Sequence, residues 1–546
     1  MADRLRSWWG WGWEDQALDE RQTAKLAASL QHRFGIELAV RPPPDLSSTV
    51  LAEPRVRVPD AFAGWCHTDH HERASHTFGK AYRDVVRASY GQLGHSPDVV
   101  ARPTTESQIE AVLHWASDAH VAVIPYGGGS SVVGGVEHRG EGDVRGVVTL
   151  DLTALDRVLE VDRTSRAARI QAGALGPVLE DQLRPHDLTL RHFPQSFEFS
   201  TLGGWLATRA GGHYASVYTH IDDMVESMRV VTPTGISESR RLPGSGAGPS
   251  HDRLFLGSEG SLGVITEAWM RLQDRPRFKR SSGVRFANYH DGVAAVRALS
   301  QSGLFPTNCR LLDATEAATS AGVTDGSTLL LVGFESAHHP VDEAMSLALT
   351  CCADHGGMIP DEPSDPGESN GNAGEAQRAD QGRAGAVGAW RNAFLRAPYT
   401  RDALVRMSVI VETFETACTW DRFDETHHAI TTAAMEAVER VAGVGWVTCR
   451  FTHIYPDGPA PYFSVFAPGR PGSEVAMWDE IKVAVSEAIG NVGATITHHH
   501  AVGRDHAPWY REQRTEALGR VLTAAKAAVD PSGIMNPGVI VDAPPT

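Results

Sequence analysis

Pro125-Tyr-Gly-Gly-Gly-Ser-Ser131 follows without a break on the apolar run Val121–Ile124. A strand that runs into consecutive glycines bares backbone N–H groups with no side chains to screen them, and such a loop takes an anion at close range. One loop of this kind says little, because any tight turn resembles it. Three more glycine-rich segments follow: Gln195-Ser-Phe-Glu-Phe-Ser-Thr-Leu-Gly-Gly204, Thr208-Arg-Ala-Gly-Gly212 and Gly257-Ser-Glu-Gly-Ser-Leu-Gly-Val-Ile265. Small residues at so many loop positions describe a long ligand lying along the backbone, and a pyrophosphate-containing dinucleotide fits that description. Two commoner nucleotide folds are excluded. Gly129 to Gly134 has phosphate-loop glycine spacing but continues as Gly135-Val136, where Lys and Ser/Thr would stand. No GxGxxG lies between a strand and a helix, so a Rossmann domain is not expected.

The surrounding pattern is α/β. Thr105-Glu-Ser-Gln108 is a capping box, followed by Ile109, Val112, Leu113 and Ala116 at helical spacing. Residues 147–152, 158–161, 168–172, 228–232 and 263–266 read as strands, and 177–183 as a short helix. Residues 1–94 read as a helical N-terminal region, with a helix from Glu20 to His32 and an extended RPPPDL segment at 41–46. From 276 to 500, longer helices alternate with strands, as in a second domain. Within it, 362–388 is rich in Gly, Ala, Asp and Glu and reads as a mobile loop. The GxSxG match Gly367-Glu-Ser-Asn-Gly371 falls in that loop, without the strand and helix a nucleophile elbow needs. Arg511 to Val529 reads as one helix, stopped by Pro531 and Gly533.

The 546 residues carry a formal charge of −17, which argues against nucleic-acid binding. Six cysteines without a CxxC suit a reducing compartment. No secretory signal and no spanning apolar stretch is read, so a cytoplasmic protein is expected. His67-Thr-Asp-His-His71 with His76 misses HExxH spacing by one residue and reads as an exposed polar loop. No metal site is assigned. Thr497-His-His-His500 is the most unusual feature. In a strand, His498 and His500 would share one face and His499 the other, so one face could bind a metal and the other meet a ligand. Histidine suits proton abstraction near neutral pH, and a structural histidine cluster is the plainer reading of residue type alone.

Residues 95–275 resemble the FAD-binding domain of the vanillyl-alcohol oxidase/p-cresol methylhydroxylase superfamily. Val529-Asp-Pro-Ser-Gly-Ile-Met-Asn-Pro-Gly538 resembles its C-terminal signature. Within it, Ser200-Thr-Leu-Gly-Gly-Trp-Leu-Ala-Thr-Arg-Ala-Gly211, Trp9-Gly-Trp-Gly12 and the histidine triplet resemble the alkyldihydroxyacetonephosphate synthase family. Related hydroxy acid dehydrogenases carry Glu-His-Gly where this chain has the triplet. Ala501 departs from the usual glycine.

The resemblance implies an α+β protein: a two-subdomain FAD-binding domain of p-cresol methylhydroxylase type (95–275), an α/β cap on an antiparallel sheet (276–500), and a tail (501–546) returning to the FAD domain. It implies non-covalent FAD, since Ser130 stands where some relatives have a flavin-tethering His. The implied FAD contacts are Pro125, Tyr126, Gly127, Gly128, Gly129, Ser130, Ser131, Gln195, Ser200, Thr201, Gly203, Gly204, Thr208, Arg209, Ala210, Gly211, Glu259, Gly260, Gly263, Val264 and Ile265. The implied active-site residues are His498, His499 and His500 for proton transfer, Tyr462 for positioning or proton transfer, and Arg310 and Arg401 for phosphate and carbonyl oxygens. The implied reaction exchanges the acyl chain of acyl-dihydroxyacetone phosphate for a fatty alcohol, with no net redox change. A 2-hydroxy acid dehydrogenase or oxidase on the same scaffold is the alternative, and a non-catalytic flavin- or lipid-binding protein a third. Trp390, Phe394 and Leu395 are read as gating an acyl tunnel, touching a membrane or packing in a core. A homodimer with peripheral membrane contact completes the expectations.

Overall fold

The computed structural model describes residues 4–140, 143–218, 220–359 and 385–541. Three sheets carry the architecture. In the first, Val99–Ala101, Gly146–Asp151 and Val121–Tyr126 run parallel, with Cys66–His67 antiparallel at the edge. Helix Glu106–Ala119 makes the crossover between the first and last of these, capped by the Thr105 hydroxyl, and buries Ile109, Val112, Leu113 and Ala116 on the sheet. The second sheet is antiparallel, in the order Val158–Asp162, Ala167–Gln171, Val264–Arg271, Val225–Thr232, Gly235–Glu238. Helix Leu202–Thr208 drives Trp205 and Leu206 into its core.

The third sheet has six antiparallel strands: Phe278–Phe286, Thr328–Ser336, Asn308–Leu312, Trp446–Ile454, Pro459–Pro468 and Val409–Glu415. Helices Phe423–Ala442 and Glu474–Asn491 cover part of it, burying Ile430, Ala434, Trp478 and Ile481. Along one row, Leu312 faces Arg450, Arg450 faces Tyr462, and Tyr462 faces Glu415. Because side chains of facing residues emerge on the same side, register alone aligns Arg450, Tyr462 and Glu415, and adds Arg310 two residues from Leu312.

The tail returns to the first sheet. Val123 bridges Met535, with Val123 N donating to Ile534 O and Asn536 N to Val123 O. The fully buried Lys526 secures it by donating to Asp530 Oδ2, Ser261 O and Met535 O, each at 2.8 Å.

Several local expectations are corrected. Residues 385–388 are not loop: they begin helix Gly385–Arg406, where Ala386 and Val387 pack beside Trp390. The rest of the 362–388 stretch, with its GxSxG match, spans residues through 384 that lie outside those described. The 511–529 helix is two, Ala507–Gln513 and Glu516–Val529, because the Thr515 hydroxyl caps a fresh start. His67 to His76 is exposed at 68–71, as expected, but it is not a loop. It forms a short strand and helix His70–Ser75, and His76 is buried against Asp151 at 3.2 Å. Among the described residues, no helix is long and apolar enough to cross a membrane.

Replacing Lys526 with Met leaves the Asp530 carboxylate buried without its cation. We expect urea denaturation to show a loss of about 3–5 kcal/mol.

Candidate active site

The histidine triplet is not a strand. Residues 498–500 form a bend wrapped around Glu415, the last residue of the edge strand Val409–Glu415. The Glu415 carboxylate accepts from the backbone N–H of His498 (2.7 Å), His499 (3.1 Å) and His500 (2.9 Å), and from the Thr497 hydroxyl (2.5 Å). Successive N–H groups turned toward one point form an anion nest, and a strand would turn them alternately to opposite sides. Burial alone would raise the Glu415 carboxyl, but the His499 ring beside it holds it well below the usual range. Burial pushes the pKa of His498 well down and that of His500 to about 3, leaving both rings neutral.

The rings sit in an aromatic and imidazole box. Tyr462 lies nearly parallel to His499 at 6.1 Å and edge-on to His500 at 5.4 Å, and the Arg450 guanidinium lies over its ring at 4.0 Å. His499 Nδ1 lies 3.0 Å from His498 Nδ1 and 3.2 Å from Glu415 Oε2. The Tyr455 hydroxyl meets His498 Nε2 at 2.9 Å and His220 Nε2 at 2.5 Å. His453 Nε2 donates to Gly212 O at 2.9 Å.

Arg310 is buried without a carboxylate partner. Its Nη2 donates to His213 Nδ1 at 2.8 Å, its Nη1 has no partner, and its guanidinium lies 5.0 Å from the Trp390 ring and 5.2 Å from Phe394. Burial, then repulsion from Arg450, lowers its pKa. An anion placed here would offset that cost. Trp390 is therefore buried against this arginine, whereas Leu395 on the same helix is exposed. Arg401 is not among the histidines. Its Nη1 donates to Lys80 O, and Lys80 N donates to Ser131 O, which places it behind the 125–131 loop.

The glycine-rich segments converge. A Cβ on Gly128 would overlap the Phe199 carbonyl, and one on Gly127 would strike the Thr201 hydroxyl. A Cβ on Gly260 would press on Pro125, and one on Gly203 on Ala172. Gly211 touches the histidine box, since a Cβ there would lie 3.0 Å from His499 Cβ and 3.1 Å from His453 Cε1. Glu259, in left-handed backbone at φ 51°, accepts from Val502 N and Gly503 N, and Ala501 just before them holds φ 74° despite its Cβ. Some implied FAD side chains are engaged by protein. Arg209 pairs with Asp222, Gln195 donates to Phe394 O, the Ser200 hydroxyl accepts from Trp205 Nε1, and the Thr208 hydroxyl donates to Gly204 O. Val264 and Ile265 lie in a buried strand.

The remaining backbone fits a diphosphate-bearing cofactor. Among the described residues, the N–H groups of Gly127, Gly128, Gly129 and Ser130 meet no protein acceptor. Arg6, Lys80 and Arg401 gather beside this loop, with Asp402 as their nearest anion. Arg6 Nη2 reaches Gly128 O at 3.0 Å, and Arg401 Nε is buried and unpaired. Burial and the two arginines push the Lys80 amine down to about 8. Three cations against two carboxylates, Asp402 and the more distant Asp84, leave positive charge for a bound anion to neutralise.

Comparison with known proteins agrees with this geometry. Residues 97–238 match the FAD binding domain family, and residues 275–540 match the family of FAD linked oxidases, C-terminal domain. The class is thus a flavoprotein with an α+β FAD-binding fold and a C-terminal domain on an antiparallel sheet. A likeness of fold extends to p-cresol methylhydroxylase with substrate bound, at TM-score 0.65 and 16% identity over 88% of this chain and 94% of that one. A solved alkyldihydroxyacetonephosphate synthase superposes with TM-score 0.78 at 26% identity, covering 97% of this chain and 98% of that one. The alkyldihydroxyacetonephosphate synthase of Dictyostelium discoideum is 32% identical over 476 residues, 86% of this chain and 77% of the relative. The chain belongs to the alkyldihydroxyacetonephosphate synthase family, and its cofactor is FAD.

Sequence reasoning missed Glu415, Tyr455, His453, His213, His220 and Lys80. Each is an isolated residue in its own segment, and only the fold brings it to the site.

Lys80 yields a two-sided expectation. Between pH 8 and 10.5 the unfolded chain binds more protons than the folded one, so Lys80 costs stability at pH 7 and this cost fades as pH rises through that window. FAD-free Lys80→Met should therefore melt higher than wild type at pH 7, with the gap closing toward pH 10.5, while FAD retention falls roughly tenfold. Melting curves and flavin content after gel filtration check both arms.

Proposed function

We propose that this chain exchanges the acyl group of acyl-dihydroxyacetone phosphate for a fatty alcohol, releasing a fatty acid and forming an ether. One observation carries the assignment beyond the family: a carboxylate-anchored run of three imidazoles, with His498 and His500 neutral, lies near a buried arginine that has no carboxylate partner. The substrate joins the same two features, an acidic C–H beside a carbonyl and a phosphate monoester.

Arg310 takes a phosphate or carbonyl oxygen, since its free Nη1 is a charge-assisted donor in a dry setting. Trp390 and Phe394 flank the guanidinium and fix its plane. His499 sits where Glu415 contacts its Nδ1 and the Tyr462 ring lies nearly parallel to it, which orients it as a general base requires. It removes the proton from the carbon that bears the ester. His498 and the Tyr455 hydroxyl receive that proton along a hydrogen-bonded chain through His220. Bound FAD supplies a covalent catalyst and electron sink for that carbon. Arg401 and Lys80 act on the cofactor side, behind the 125–131 loop.

The deciding assay uses FAD-loaded protein with palmitoyl-dihydroxyacetone phosphate and hexadecanol, read by mass spectrometry. The expected result is alkyl product and free palmitate without an electron acceptor. Flavin bleaching by a 2-hydroxy acid with dye reduction, and no ether product, would replace the proposal with a dehydrogenase. His499→Gln is expected to abolish turnover and keep FAD. Arg310→Met should lower kcat/KM by roughly a hundredfold through loss of one charge-assisted contact.

A further inference from the structure

We infer that His453, His498 and His499 form a binding site for a divalent transition metal of the zinc class. One ring nitrogen from each of the three lies within 4.8 Å of the others. A tetrahedral zinc with three imidazole ligands sets its nitrogens about 3.3 Å apart, so small ring rotations close the set. His453 comes from the strand Trp446–Ile454 and the other two from the bend on Glu415.

The hydrogen bonds leave lone pairs where a metal needs them. A carbonyl can only accept, so the bond from His453 Nε2 to Gly212 O puts the ring proton on Nε2. His453 Nδ1 is then a bare lone pair, and it is buried with no partner. A histidine that donates its second nitrogen to a backbone carbonyl is oriented as metal-ligating histidines are. His498 and His499 face each other Nδ1 to Nδ1 at 3.0 Å, so one of these nitrogens carries a hydrogen and the other offers its lone pair. A metal ion between them would take both lone pairs and displace that hydrogen. Glu415 Oε2, 3.2 Å from His499 Nδ1, adds negative charge at the same spot. Three imidazoles with an adjacent carboxylate suit zinc, cobalt and copper and do not suit magnesium or calcium.

The site includes the groups assigned to proton transfer, so an ion there would block turnover. Its occupant is thus an inhibitory ion. Binding, however, is measurable without substrate and stands apart from the proposed reaction.

FAD-loaded protein is dialysed against Zn²⁺ and titrated separately with Co²⁺. We expect one equivalent of zinc per chain that is absent from His453→Gln and His498→Gln, and visible Co²⁺ bands of tetrahedral strength lost in the same variants. Circular dichroism and melting curves show whether each variant is folded, and the two variants guard against failure of one. A His338→Gln/His339→Gln variant, altered at an exposed histidine pair, should bind like wild type. Zinc binding that persists in folded His453→Gln and His498→Gln, that vanishes with the His338/His339 pair, or that is absent from wild type overturns the inference.

Discussion

Glu415 and the backbone around it depend on each other. A carboxylate sealed at the end of an edge strand is costly unless its oxygens are filled. Three consecutive N–H groups and one hydroxyl fill them, with the His500 N–H shared with the Thr497 hydroxyl oxygen. The chain at 497–500 must therefore curl, and the curl sends three adjacent side chains into one space instead of alternating them across a strand. The Tyr462 contacts, the His498–Tyr455–His220 chain and the opposed Nδ1 atoms all follow from that turn.

The sheet supplies the rest through register. Arg450, Tyr462 and Glu415 share one row because each faces the next across a strand pair, and Arg310 is two residues away on the same face. Arg450 is neutralised by Glu316 at 2.8 Å, whereas Arg310 has only uncharged partners, the His213 imidazole and the Asn308 amide oxygen. Two arginines of similar burial are thus chemically different: one is structural, the other is left charged and ready for an oxygen anion. On the flavin side the same logic operates at Lys80, Arg6 and Arg401. There the N-terminal tryptophan segment takes part, through Trp11 N donating to Asp402 at 2.5 Å.

Much of the flavin half is legible from sequence because its signals are local. A strand followed by glycines and a capping box before a periodic helix each declare themselves within a few residues. The failures share a cause. A run of histidines has no periodicity with which to choose between strand and bend, and the Glu415 that decides it is 82 residues from Thr497. The small, glycine-rich composition at 385–388 hides a helix start that is settled by packing against Leu312 and Leu331. His76 reads as surface until Asp151 is brought to it.

The amino-acid sequence by itself determined the family, the cofactor class and the residues that mark them, because glycine spacing and short motifs are written in consecutive positions. It also placed a histidine triplet and an arginine among the residues to watch. Only the tertiary structure decided what those residues can do. Charge state, lone-pair direction and proximity depend on desolvation and on partners tens to hundreds of residues away, and those are properties of the packed chain.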